Sequence, residues 1–597
     1  MPKEGLMSYS RTRVARAIAT ITLLVLADRA FAQSYYYGTG YAVEMAILRS
    51  AVVFASTSAG FAIGWFFSPF GRKFRQVVLL AIGGLAGLVA LTDTMGLGWG
   101  AAFALAIVGF SAGFGYWIGR TLRKILEVPT TFGSSKWADI SHLEERGYLE
   151  DKGILLGEVM DGDSPRRVYY EGDRHAFTLA KTRGGKGISH IIPNLLRHIG
   201  STVIIDPKGE NALITAQARI DMGQDVHLVD PFDIAASKLG MRPARFNPME
   251  WIELSDIDAP ENAMILADAI IKEQGEKEPF WTNEAKALLQ GAILHVAFDR
   301  EFEGRRNLGT VRDCLLGDGD TLIKLFQDMV KSPHALIASC GSRQLQKEEK
   351  LLSNVLATVQ AATHFLDSAR MREALSTSDF RFEELKTEKM SLYLILPADR
   401  LSTFSAFLRL MIEQSLTVNA RNIELQPEQP VLYIIDEMPA LGRLNMVEQA
   451  FGLMAGFGVQ IWAIAQNVSQ MKSIYGDGFE TFIANAGVVS YFGSKDKASA
   501  DYFSDLCGVT TVWNLSSAIS TAISITSGAQ GSSSTSTSET DTRAASQRKL
   551  AYPDELMRLN DTQQLLLIED ADPILARKLR WFEEPDMAER GVNLRKS

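Results

Sequence analysis

Apolar residues are distributed along this chain in two regimes. Up to about residue 125 they come in long, nearly unbroken runs. Beyond it they come in short runs and periodic patterns separated by polar turns. Three runs, Ala51–Phe70, Val77–Thr92 and Gly98–Ile118, approach the roughly 20 residues that a helix needs to cross a bilayer core, the middle one being shortest. Gly and Ala are frequent in them, which suits close helix packing in lipid. These runs predict membrane-spanning helices. A further run, Ala17–Ala27, follows Arg11, Arg13 and Arg16 and precedes Ala30-Phe31-Ala32. That order reads equally as a secretory signal with its cleavage site or as a short first span.

In the second regime, Ala176–Ala180, Thr202–Ile205, Val226–Val229, Ser391–Leu396, Val431–Ile435 and Val459–Ala465 are short apolar runs, several ending in polar turn residues. Buried parallel strands have this form. Leu565–Ile568 and Ile574–Phe582 predict two later strands. Between them, from about Trp251 to Lys389, the pattern is helical. In Thr282–Phe298, for example, Ala285, Leu288, Leu289, Ala292, Ile293 and Val296 share one face, with Thr282 or Asn283 as the cap. A helical block therefore interrupts an α/β pattern. The expected order is an anchor over 1–125, a polar linker over 126–150, one α/β domain in two parts (151–250 and 389–590), and an all-α insertion over 251–388. Leu515–Arg543 is rich in Ser and Thr, densest at Gly531–Thr542, and is expected to be a mobile insert.

Charge follows the same division. The chain has 597 residues and a formal charge of −9, of which residues 1–125 carry +8 and the remainder −17. Arg72, Lys73 and Arg75 follow the first long run, and Arg120, Arg123 and Lys124 follow the last, whereas the loop at Asp93 has no Lys or Arg. The positive-inside rule then places both basic clusters, and everything after residue 120, in the cytoplasm, with Arg49 and Tyr35–Tyr37 on the outer side. The acidic bulk argues against a protein that coats nucleic acid. Cys314, Cys340 and Cys507 have no metal-type spacing and suggest a reducing compartment.

Four constellations carry candidate chemistry. The first, Ala180-Lys181-Thr182-Arg183-Gly184-Gly185-Lys186-Gly187, follows a predicted strand and opens a helix, with Thr182, Arg183, Gly184, Gly185, Lys186, Gly187 and Ile188 as candidate nucleotide-binding residues. Glycines let backbone N–H groups turn around a polyphosphate, the helix start favours an anion, and Lys186 would reach the β and γ phosphates. The loop departs from the general phosphate-loop pattern at Ala180, where a Gly is usual, and at Gly187, where a hydroxyl is usual. The second is Asp436-Glu437 at the end of the Val431 strand: Asp436 would hold Mg2+ and Glu437 would polarise an attacking water. The third is Gln466, placed after the Val459 strand to read a γ-phosphate. The fourth is Asp206-Pro207-Lys208-Gly209-Glu210, which ends the strand after the loop helix.

Together these resemble the type IV secretion coupling proteins, the TraG/TraD-type conjugation ATPases. That family's loop tends to read T-R-x-G-K-G and to precede an apolar helix with an internal proline, here Pro193. Its next strand ends in a D-x-K-G-E type sequence, here Asp206 to Glu210, and a D-E follows a later apolar strand. The resemblance spans about Trp137 to Trp581 and implies that Gly187 is a family trait. It leaves Thr182 and Ser189 as alternative hydroxyls for the metal. It further implies a RecA-like P-loop NTPase domain with an inserted all-α domain behind a transmembrane helical anchor, ATP and Mg2+ as ligands, and a homo-hexameric ring. Arg174 stands where the family places a finger acting on a neighbouring subunit.

The function implied is a multi-pass inner-membrane ATPase that delivers relaxase-bound single-stranded DNA, secreted proteins, or both, to a type IV channel. A nucleotide-gated receptor without motor action and an FtsK-like DNA translocase are the alternatives. The all-α block mixes Glu273, Glu276 and Glu278 with Lys324, Lys331, Arg343 and Lys347, so its composition declares no DNA-binding face.

Overall fold

A computed structural model of the chain describes residues 40–66, 98–126, 130–253, 255–271, 279–526 and 532–594. The runs at Ala17–Ala27 and Val77–Thr92, the cluster at Arg72–Arg75, and Glu273, Glu276 and Glu278 lie outside these residues. The described chain forms two compact units. One contains the N-terminal helices and residues 511–546, and the other contains residues 133–510 and 547 onward.

In the first unit, α1 (Gly40–Phe66) and α2 (Gly98–Leu126) pack together. Both contain a stretch long and apolar enough to cross a membrane, Met45–Ile63 and Trp99–Gly119. α1 starts eleven residues before the expected Ala51 because no helix breaker intervenes after Gly40. Arg49, expected outside the span, therefore lies within the helix, with its guanidinium 5.7 Å from the Trp99 ring centroid. Small residues set the close approach. A Cβ on Gly60 would lie 2.5 Å from the Phe110 carbonyl oxygen, and one on Gly113 would lie 2.5 Å from the Phe61 ring. Ser56 adds a hydrogen bond to the Ala106 carbonyl at 3.1 Å.

The Ser/Thr-rich segment departs from expectation. β10 (Val509–Thr526) and β11 (Ser532–Lys549) pair as a two-stranded sheet. Low apolar content prevents a packed core but not backbone pairing. Thr and Ile are frequent in β10, and β-branched residues suit extended backbone.

The second unit is built on one eleven-stranded sheet in the order β2-β1-β13-β12-β9-β3-β8-β7-β4-β6-β5. Its parallel part comprises β3 (His175–Leu179), β4 (Thr202–Asp206), β5 (Asp225–Val229), β6 (Met390–Ile395), β7 (Val431–Ile435), β8 (Val459–Ala465) and β9 (Ala486–Tyr491). These strands pair in parallel throughout. Their near-continuous burial on both faces explains their unbroken apolar sequences. β1 (Ile154–Asp161), β2 (Ser164–Tyr170), β12 (Gln563–Ile568) and β13 (Ile574–Arg577) extend the sheet antiparallel. β13 ends at Arg577, five residues short of the expected Phe582, and the chain turns onto the loop described below. The linker also carries structure, a short helix at Ile140–Glu145 capped by Asp139.

Between β5 and β6 the chain is almost entirely helical, as an insertion into the α/β fold. α3 (Glu210–Asp221) precedes it. α4 (Ala259–Ile270), α5 (Pro279–Phe298) and α6 (Leu308–Leu315) follow β5, and further helices continue to Thr387. α5 begins at Pro279, where a missing N–H costs nothing, so Thr282 and Asn283 lie inside the helix rather than capping it. Arg343 and Lys347 are tied to Glu284, the latter at 3.0 Å, and Lys331 to Asp328 at 2.8 Å.

Candidate active site

The carboxyl ends of parallel strands share one sheet edge, where open α/β folds place their ligands. Strand register determines what meets there. Ile205 of β4 is level with Ile435 of β7, which sets Asp206 beside Asp436. Leu179 of β3 is level with Ala465 of β8, and the Ala180 N–H donates to the Ala465 carbonyl at 2.9 Å. Because β8 lies between β3 and β7, Gln466 stands between the glycine loop and the acidic pair.

The loop after β3 is a tight turn. Gly184 donates its N–H to the Lys181 carbonyl at 2.8 Å, Arg183 adopts φ 60° and Gly185 φ 94°. Left-handed backbone at Arg183 is uncommon outside glycine and marks a locally strained turn. A π-helical turn, Gly187–Ile191, follows, closed by the Ile192 N–H donating to Gly187. The next residues, Ile192–Leu195, include Pro193, which lacks the N–H that would continue a regular ladder.

Lys186 extends from this loop to both acids, with Nζ 2.7 Å from Asp436 Oδ1 and 2.5 Å from Glu437 Oε1. Gln466 Nε2 donates to the other Glu437 oxygen at 2.8 Å, and Thr182 Oγ1 donates to Gln466 Oε1 at 3.3 Å. Glu437 itself sits in left-handed backbone at φ 54°, with its N–H donating to Asp436 Oδ1 at 3.0 Å. Lys186, Asp436, Glu437, Gln466 and Thr182 thus form one connected network.

The electrostatics are those of a site short of positive charge. Burial pushes the Asp436 carboxyl up despite Lys186 beside it. Burial opposes the charge on Lys186, and the two carboxylates outweigh it, holding its ammonium above the ordinary range. Asp206, fully buried, is pushed up to about 7 by burial, with Asp436 adding to the rise, while hydrogen bonds from the Ala212 and Lys208 backbone oppose it. Asp206 Oδ2 accepts the Ala212 N–H at 2.9 Å, so it braces the start of α3 from beneath the site.

Other expected residues fall elsewhere. Ile188 packs its side chain against a cluster containing Leu196 and Trp581, leaving only its backbone near the loop. Arg183 is exposed at the loop tip, and Ser189 is buried beneath it. Arg174 lies at the start of β3, about 17 Å of strand away from the loop. There it pairs with Glu569 at 3.2 Å. It cannot serve the Lys186 site of its own chain.

The C-terminal segment contributes contacts that no local sequence signal announces. Lys181 pairs with Asp561 at 2.7 Å, Lys578 Nζ donates to the Gly184 carbonyl at 3.1 Å, and the Trp581 N–H donates to the Ile188 carbonyl at 3.2 Å. A cation on one side and a lone backbone carbonyl on the other leave no motif to read.

The donor set suits a hard cation. Asp436 and Glu437 present carboxylate oxygens now drawn to an ammonium, and Mg2+ takes one or two carboxylates while completing its shell with phosphate and water. Among the described residues no group of three or more His, Cys, Asp or Glu forms a self-sufficient metal cage. A metal held here would therefore rest on Asp436 and on the ligand it accompanies.

Comparison with known proteins shows the family and the fold. The family described as "Type IV secretory system Conjugative DNA transfer" matches residues 136–597. The conjugal transfer protein TraG of Escherichia coli is 26% identical over 464 residues, covering 72% of this chain and 71% of that protein. Protein VirD4 of Rhizobium radiobacter is 25% identical over 474 residues, covering 76% and 64%. Among solved structures, the plasmid coupling protein TrwB in complex with ADP and Mg2+ superposes with a TM-score of 0.54 at 14% identity, covering 76% of this chain and 96% of that one. The same protein bound to a non-hydrolysable ATP analogue gives a TM-score of 0.52 at 15% identity, over the same share of each chain. The fold is that of a RecA-like domain carrying a helical insertion, and the chain belongs to the type IV secretory system conjugative DNA transfer family, the coupling proteins.

Proposed function

We propose that this protein is a membrane-anchored, Mg2+-dependent ATPase that couples substrates to a type IV secretion channel. The observation that carries the reading is the closed network of Lys186, Asp436, Glu437 and Gln466 at the carboxyl edge of the parallel sheet. Solved relatives named as complexes with ADP and Mg2+ or with ATP and GTP analogues support it.

In this reading the β and γ phosphates of ATP draw Lys186 away from the two carboxylates. Asp436 would hold Mg2+, which would supply positive charge against the phosphates. Glu437, released by Lys186 but still held by Gln466, orients the attacking water and accepts its proton. Gln466 spans Glu437 and Thr182, so a change in either is passed along the β8 end. Arg174 completes the site of an adjacent subunit, which its distance from its own loop supports. The assembly is then a ring, a homo-hexamer by family resemblance, with ATP between subunits.

In this reading the assembly sits in the inner membrane, multi-pass, with the α/β domain in the cytoplasm; the two long apolar helices support an anchor and the basic clusters support the orientation. The substrates in this reading are relaxase-bound single-stranded DNA, secreted proteins, or both, as the family resemblance implies. Crosslinking in transferring cells tests this. Capture of relaxase with plasmid strand, or of secreted proteins, is expected, and capture that continues undiminished with transfer in Glu437→Gln would favour a passive receptor.

A further inference from the structure

We propose that Lys578, delivered by the C-terminal segment, is a positioning residue of the phosphate loop, holding the Gly184 carbonyl outward so that the Gly185 N–H faces the polyphosphate. This rests on the nucleotide-site reading above. Lys578 is 8% exposed. Its ammonium donates to the carbonyls of Gly184 at 3.1 Å and Phe492 at 3.4 Å, and lies 4.3 Å from the Phe492 ring centroid.

No carboxylate pairs with it within 4.0 Å among the described residues, and the nearby Asp561 is engaged by Lys181. Burial, and after it Lys181, pull the Lys578 ammonium down to about 8. A buried ammonium satisfied mainly by carbonyls is an expensive way to fill space. A methionine would pack as well without that penalty.

The peptide unit supplies the reason. Across a planar trans peptide the carbonyl of one residue and the N–H of the next point in opposite directions. Fixing the Gly184 carbonyl toward Lys578 therefore fixes the Gly185 N–H on the opposite side. The Gly184–Gly185 peptide is the one most in need of a hold, because two adjacent glycines permit it to rotate freely. Gly185 at φ 94° occupies a conformation open chiefly to glycine. The same segment braces both flanks, through Asp561 on Lys181 and the Trp581 N–H on the Ile188 carbonyl, while Leu579, Trp581 and Met587 share a core with Ile192 and Leu196.

The test is the affinity of a fluorescent ATP analogue for the full-length, detergent-solubilised protein. Lys578→Met, which keeps the apolar stem, is expected to weaken binding about tenfold or more, and Lys578→Arg to restore most of it. Lys186→Ala is the reference. Parental affinity in Lys578→Met beside a loss in Lys186→Ala would overturn the role of Lys578 alone, even if the melting temperature fell. Parental affinity in both would overturn the nucleotide-site reading as well. Should Lys578→Met not fold, hydrogen exchange on the unmodified protein decides. Nucleotide should slow exchange at 562–582 together with 181–187, by reciprocity of coupling. Slowing confined to the loop would overturn the proposal.

Discussion

At the scale of single residues, the charge on Lys186 holds the acidic pair together. It bridges Asp436 and Glu437, and burial raises the Asp436 carboxyl even with this ammonium beside it. Lys186→Ala should therefore lose nucleotide affinity by about tenfold or more, measurable by titration with a fluorescent analogue. Glu437→Gln keeps the shape and the Gln466 contact but removes the carboxylate proposed as the base, so turnover should fall about 100-fold or more while binding persists. Equal loss of binding in Glu437→Gln would assign that residue to holding the ligand instead. Asp206 gives a pH test. Its folded pKa, about 7, lies above the ordinary carboxylate value, so the stability it contributes is present below about pH 4 and is lost as pH rises through 7. Asp206→Asn has no such loss and keeps an acceptor for the Ala212 N–H. Its stability relative to the parent should rise by about 1–3 kcal/mol between pH 5 and pH 8 in denaturant titrations, and a flat difference would contradict the assignment.

At the scale of elements, what the sequence disclosed depended on whether a signal was local. β7 and β8 coincide with their apolar runs because strands buried on both faces must be apolar along their whole length. The acid pair and Gln466 were legible because each ends such a strand. The placement of Lys578 against Gly184 was not, since it depends on how β13 ends and where the chain then turns. The Ser/Thr-rich segment misled for a related reason: composition reports on core formation and is silent about backbone pairing. The helix pair α1/α2 yields a mutational contrast. Gly60→Leu and Gly113→Leu should separate the helices, because a Cβ at either position already collides with Phe110 or Phe61, whereas a Cβ at Gly100 meets nothing within 4 Å and Gly100→Leu starts into open space. The melting temperature of the detergent-solubilised protein should fall for the first two and hold for the third. Equal effects at all three positions would contradict the close approach.

At the scale of the whole molecule, the division into a +8 membrane part and a −17 remainder limits how nucleic acid is held. A surface that acidic repels a phosphate backbone, so any grip on DNA is local and screened by salt. Affinity for single-stranded DNA should fall about tenfold or more between about 50 and 200 mM salt. Tight binding indifferent to salt would contradict this. The central claim is that hydrolysis at Lys186, Asp436 and Glu437 drives delivery. It is tested most directly by substrate transfer into recipient cells when Glu437→Gln is the only copy of the protein. Transfer should fall to background while the protein stays in the membrane at normal abundance. Transfer at the parental frequency would show that delivery does not depend on this site.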